Sequence, residues 1–253
     1  MPSAPYDSLE LVVNAARSRL NDMIVAVGGD ILTDNAVFTP TVVNAAWRKQ
    51  QDKLASLGFY PQFDEVVYAG LQACASADPS VQTFLDWTGF NDGTTLHAGT
   101  PLPQNAIVPT HLDERIAGSG VQFKEMDKIT HALPLIVKGP WNRIWEWRSR
   151  TGGTGEGAIW MPGTTGAWDV RIRFASYLVD FVPSSTTAFS AQPVPIMRCL
   201  DSFSLYVVAE VCGPRGDLDS KTVKMEADAA TAILVGRSNP VVLKPAAPEA
   251  PTQ

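Results

Sequence analysis

The sequence predicts a mixed α+β fold: a helical bundle formed by N- and C-terminal helices, with a β-rich, sandwich-like domain inserted and an extended C-terminal tail. Three observations carry this reading. Apolar residues recur at helical spacing near both ends, the middle alternates with period two between glycine and proline turns, and the last residues are rich in Pro and Ala. The expected organisation is residues 1–60 and 194–237 as the bundle, 61–193 as the inserted β-rich domain, and 238–253 as a Pro-rich arm.

In the first helix, Leu9, Val13, Ala16, Leu20 and Met23 recur at four-then-three spacing, with Asp7 available as N-cap. Gly28-Gly29 interrupts the pattern, and Thr39-Pro40 opens a second helix whose Val43, Trp47, Leu54 and Leu57 share a face and which ends at Gly58. Between about Gln62 and Phe181 the period changes. Val81, Thr83, Leu85 and Trp87 alternate with Gln82 and Asp86, and in Trp168 to Phe174 the residues Trp168, Val170, Ile172 and Phe174 face one way while Asp169, Arg171 and Arg173 face the other. After Pro193-Val194-Pro195 a third helix is expected, with Ile196, Leu200, Phe203 and Val207 on one stripe and a stop near Cys212 before Gly213-Pro214. Asp219 caps a fourth, running to Val235, with a stripe of Val223, Ala227, Ala230 and Leu234. The remaining SNPVVLKPAAPEAPTQ favours an extended, polyproline-like tail.

Composition narrows function. At 45% hydrophobic and 9% aromatic the chain can build a core, and its net charge of −6 argues against a whole surface that grips nucleic acid, which needs clustered Lys and Arg. Cys74, Cys199 and Cys212 are odd in number and lack metal-ligand spacing, so reduced buried thiols are expected, with no metal and no cofactor. The start MPSAPYDSLE has neither the basic beginning nor the apolar run of a signal peptide, and no stretch approaches the roughly 18 apolar residues of a membrane span. A soluble chain without a membrane partner is expected.

No catalytic constellation emerges, and the chain is read as a structural subunit rather than an enzyme. His97, His111 and His131 lack metalloprotease spacing and stand near no nucleophile elbow. The run Gly152 to Gly157 has no P-loop lysine and leads into the strand Ala158-Ile159-Trp160, which makes it a hairpin connection. Asp217-Leu218-Asp219 reads as helix capping and not as a calcium loop; Asp64-Glu65 and Asp113-Glu114 read as solvated charges.

The most unusual segment is Trp141 to Arg150. Trp141, Arg143, Trp145, Trp147, Arg148 and Arg150 crowd together the residue types that dominate interface hot spots, and Arg can also stack on indole or contact phosphate. These six are the candidate surface for a subunit or tail contact in the β-domain. A strand with Trp145 and Trp147 buried accounts for them equally well, and nucleic-acid contact is a lesser alternative. A rival binding reading has Trp141, Trp145, Trp147 and Trp160 forming a stacking surface for sugars, as in a carbohydrate- or receptor-binding β-module.

The order of parts, with Leu20-Asn21-Asp22, Val42 to Trp47, Val170 to Phe174 leading to Tyr177-Leu178, Arg198-Cys199-Leu200-Asp201, Ala209-Glu210 and Arg215-Gly216-Asp217, resembles the head-to-tail adaptor proteins of tailed bacteriophages, including the tail-tubular-A type. The segments NRIWEWRS, AIWMPG and PVPIMRCLD are similar to ones in phage virion proteins. The resemblance implies a virion neck subunit assembled in the host cytoplasm, in a homo-oligomeric ring of about twelve copies. It further implies docking on the portal protein through the helical domain and an arm containing Pro240, Val241, Val242, Leu243, Lys244 and Pro245, and a tail or nozzle protein received below. Double-stranded DNA would pass through the lumen without sequence-specific binding, and an acidic chain suits that, since a lumen that repels phosphate lets DNA slide. The Gly-rich 152–157 loop and the large β-section depart from the short-tailed adaptors and leave the tail type open.

Overall fold

A computed structural model describes residues 7–26, 37–149, 157–182, 191–215 and 220–238. Among them the fold is mixed α+β, with four helices and two sheets. The chain divides into two compact units, one from Met1–Phe59 with Asp180–Gln253 and the other from Tyr60–Val179.

The first unit holds α1 (Leu9–Ala26), α2 (Pro40–Ser56), α3 (Leu200–Arg215) and α4 (Ser220–Ser238). In α1 the buried stripe is Leu9, Val12, Ala16 and Leu20, one residue away from the expected Val13, which is half-buried. The cap is Ser8, whose Oγ accepts from the Leu11 N–H at 3.4 Å. Asp7 does not serve as expected because its backbone is engaged elsewhere, its carbonyl accepting from the Val194 N–H at 2.7 Å. In α2, Thr39 caps as its sequence signature predicts, with Oγ1 accepting from the Val42 N–H and Pro40 opening the helix. Val43, Ala46, Trp47 and Leu54 are buried, whereas Leu57 is 39% exposed at the C-cap, beyond the last helical turn.

Helix α3 contacts each of the other three helices. This explains why it is apolar nearly all round, with Phe203 and every residue from Leu205 to Ala209 buried. It begins at Leu200, after Ile196, and runs to Arg215 through Gly213 and Pro214 instead of stopping at Cys212. A proline's φ is helical, and one in the last turn removes a single backbone hydrogen bond without ending the helix. In α4 the buried positions are Val223, Ala227, Thr231 and Leu234; Ala230 is only half-buried. Thr231 takes its place because its hydroxyl is satisfied locally, donating to the Ala227 carbonyl at 2.8 Å. The proposed cap Asp219 lies outside the described residues.

Asp180 and Phe181 belong to this unit, so the β-rich unit ends at Val179, short of the expected boundary at residue 193. The reason is local. Asn44 brackets Phe181 with two hydrogen bonds of 2.9 Å, and Trp47 packs against the rings of both Phe181 and Phe203 at 5.2 and 5.1 Å, which also stack on each other at 6.1 Å.

The second unit has ten strands among the described residues: β1 (Gln62–Leu71), β2 (Thr83–Asp86), β3 (Gly89–Asn91), β4 (Leu96–His97), β5 (Ala106–Ile116), β6 (Lys124–Glu125), β7 (Asp127–Ile129), β8 (Ile144–Ser149), β9 (Gly157–Met161) and β10 (Trp168–Ser176). One sheet runs β1-β10-β5-β6 and the other β4-β3-β2-β9-β8-β7. All pairings are antiparallel except β7 with β8. A single buried cluster draws Tyr68, Leu112, Val170 and Ile172 from the first sheet and Leu85, Phe90, Trp145 and Ile159 from the second. β2 departs from expectation, since all four of its residues are buried and no alternation survives. Leu85 enters the core, Phe84 is covered by Trp160 at 4.8 Å, and Asp86 turns back to accept from the backbone of Thr88 and Gly89.

Candidate interaction surfaces

The Trp/Arg segment is divided by the pleat of β8. Trp145 is 1% exposed, in the core, and donates through Nε1 to the Met126 carbonyl at 3.3 Å. Trp147 is half-buried against the same core and meets Trp87 edge-on at 5.9 Å. Arg148 does not project freely: it pairs with Glu146 at 3.2 Å, donates to Gln82 Oε1 at 2.7 Å and lies 4.2 Å over the Trp160 ring. Trp141 is half-buried with Lys124 Nζ 4.5 Å from its ring centre. Arg143 is exposed, and Arg150 lies outside the described residues. Of the six nominated residues, Arg143 is therefore the described one whose side chain stands open to a partner.

The four tryptophans of the sugar-stacking alternative form no common platform. Trp160 stands opposite Glu146 and Phe84, while Trp147 stands opposite Ile159, which places Trp160 and Trp147 on opposite faces of one sheet. Trp145, on the Trp147 face, is inside the core.

The outer face of the β1-β10-β5-β6 sheet carries charges in register. Glu65 pairs with Arg173 at 2.8 Å, Asp113 with Arg171 at 2.7 Å and Asp169 with Arg115 at 2.7 Å. The Phe123 ring lies 4.5 Å from the Arg115 guanidinium and 4.9 Å from that of Arg171. His111 sits between Asp113 at 3.1 Å and Glu125 at 3.5 Å. The expectation of solvated charges fails for Asp113 and Glu114, while Glu65 is exposed. Period-two alternation sends Asp113 into this ladder and its neighbour Glu114 to the opposite face, and both are nearly fully buried. Asp64 is likewise engaged, and hydrogen bonds from Gln62, Ser176 and Asn105 hold its carboxyl below the usual range.

Elsewhere, Asp92 and His97 form a pair at 2.9 Å. Burial opposes ionisation of Asp92, yet hydrogen bonds from His97, Thr95 and Thr94 hold its carboxyl well below the ordinary value. His131 is exposed. Among the described residues no three His, Cys, Asp or Glu side chains converge as metal ligands, and no helix is long and apolar enough to cross a membrane. All three cysteines are free thiols, and burial, helped by the Asp7 carboxylate, pushes Cys199 up to about 12, where it is a poor nucleophile. The arm residues Pro240, Val241, Val242, Leu243, Lys244 and Pro245 lie outside the described residues.

A feature missed in the sequence is a groove of about 340 Å³ where α3 begins and α4 ends, lined by Met197, Arg198, Asp201, Ile233, Leu234 and Arg237. Arg198 adopts a left-handed backbone, φ 58°. The available sequence signal is a basic residue just before α3, Arg198, and another in the last turn of α4, Arg237; only the fold brings them together. No protein-family model matches the chain, and no curated protein matches it.

Proposed function

We propose that this chain is a structural virion protein of a tailed phage, a head-to-tail adaptor subunit that joins the portal to the tail as a homo-oligomeric neck ring and lines the DNA channel. The observation that carries the reading is the discontinuous first unit: α1 and α2 come from the beginning of the chain, α3 and α4 from its end, and the β-rich unit from the residues between. This supports the specific architecture read from the sequence, a helical bundle closed by both chain ends with a sandwich-like β-domain inserted. The bundle would dock on the portal together with the 238–253 arm, and the β-domain would face the neighbouring subunit or the tail, with Arg143 the best placed of the described nominated residues for that contact.

The charged ladder agrees with a structural role. Its arginines and carboxylates are matched in pairs, which organises a surface for contact and leaves no unpaired acid or base poised for chemistry. The test is the native mass by light scattering, alone and after mixing with a tailed-phage portal ring. A particle about tenfold heavier than the chain, or one formed on the portal, supports the reading. A persistent monomer that ignores the portal sinks it.

A further inference from the structure

The groove between the start of α3 and the end of α4 contains two cations that form no ion pair among the described residues. Arg198 and Arg237 both line it and both are exposed, and neither has an acidic partner among the described residues. The carboxylate of the groove, Asp201, is already paired with Arg19 at 2.9 Å. Around these charges the wall is apolar and open: Met197 is 49% and Ile233 56% exposed, above a buried Leu234. Such a recess selects an occupant that presents a carboxylate directly beside an apolar side chain, because the arginines reward charge while the wall rewards burial.

The helical unit itself displays that chemistry. On the first turn of α1, Glu10 is exposed and its neighbour Leu11 is 51% exposed, with Asp7 adding acidity and the nearest basic residue being Arg17, two turns on. Among the described residues of this unit, the exposed apolar-acidic neighbours Met225 and Glu226 of α4 lie beside Lys221 and Lys224, so their charge is offset. α1 reaches the groove through Arg19, which lies nine residues, about 14 Å, along the helix from Glu10, so the acidic knob and the basic groove belong to separate parts of the surface.

We infer that Glu10 and Leu11 of one copy seat in the Arg198–Arg237 groove of the next, in a head-to-tail contact between successive copies of this chain. Leu11 would cover Met197 and Ile233 while Glu10 meets the two guanidinium groups. A heterologous contact of this kind closes into a ring when the rotation per copy permits. The inference rests on the ring reading proposed above, and deepens it by naming the surfaces that meet.

The test is a charge exchange on the full chain, with native mass read by light scattering and folding checked by circular dichroism. All three substituted positions are exposed, so the variants should fold. Glu10→Arg alone, and Arg198→Glu with Arg237→Glu, are each expected to lower the particle mass about tenfold, from ring to monomer. Combining all three restores opposite charges and should restore the ring. If the wild-type chain forms a ring and the groove or knob variants do so equally well, the contact lies elsewhere and the ring reading stands. A folded triple variant that stays monomeric overturns the pairing of Glu10 with these arginines. A wild-type chain that is itself monomeric removes the ring reading and this contact with it.

Discussion

Glu114 holds Arg143 in a left-handed backbone conformation: its carboxylate accepts the Arg143 N–H at 2.7 Å, where φ is 67°. The other carboxylate oxygen accepts the Asn142 N–H, also at 2.7 Å, and Asn142 in turn accepts from the Gly163 N–H through Oδ1 at 2.8 Å. A residue with a Cβ resists positive φ, so two charge-assisted bonds from one buried carboxylate are what fix this turn and aim the Arg143 side chain outward. Glu114→Ala should lower stability by about 3 kcal/mol, since it strands the buried Asn142 donor and the part-buried Arg143 donor. The urea midpoint measures this, and an unchanged midpoint would show that the turn needs no clamp.

Lys138 should prove equally structural. Its Nζ donates to the carbonyls of Ser76, Asp78 and Val81 at 2.7, 2.5 and 2.6 Å, so all three ammonium protons are used in a nearly closed site. Lys138→Met retains the stem and removes the donors, with an expected loss of about 2–3 kcal/mol. Thermal unfolding with one probe for the helices and another for the tryptophans would register it.

Gly157 is required by contact. A Cβ there would come 2.1 Å from Trp147 Cζ2, in the rigid indole that also meets Trp87. Gly157→Ala should therefore cost about 1–3 kcal/mol through overpacking and change the tryptophan emission. Gly166→Ala, with open space around it, is the control and should leave both nearly unaltered.

The carboxylates set the acid limit. In Asp92, Asp64 and Asp169 the folded carboxyl titrates below its unfolded value. In each case the unfolded chain binds the proton more readily, so the stabilisation is complete above about pH 4, the unfolded value, and drains away as pH falls toward the lower folded values. Asp92→Asn should lower stability at pH 7 and make the decline below pH 4 shallower. An identical acid profile in both proteins would mean that the hydrogen bonds to Asp92 do not favour its ionised form.

How much was legible depended on how locally each feature is encoded. The Thr39 cap and Pro40 could be read directly because a cap is a contact within one turn, and the β10 alternation could be read because one face is buried. Val12 and Val13 both satisfy a helical pattern, and only the direction of α3 selects Val12 for burial. The full burial of β2 is not legible because Phe84 and Asp86 point away from the core yet are covered, by Trp160 and by a turn, and no spacing reports such cover.

Residue types by themselves determined that this chain has helical ends, a β-rich middle with a large aromatic supply, and no spacing that announces a catalytic or metal centre. Tertiary structure alone decided which of those residues remain available. It buried Trp145 and occupied Arg148 with Glu146 and Gln82, and it joined Arg198 and Arg237, distant in sequence, in one groove. The physical reason is that periodicity specifies which side chains share a face, whereas exposure and pairing depend on what the rest of the chain lays against that face.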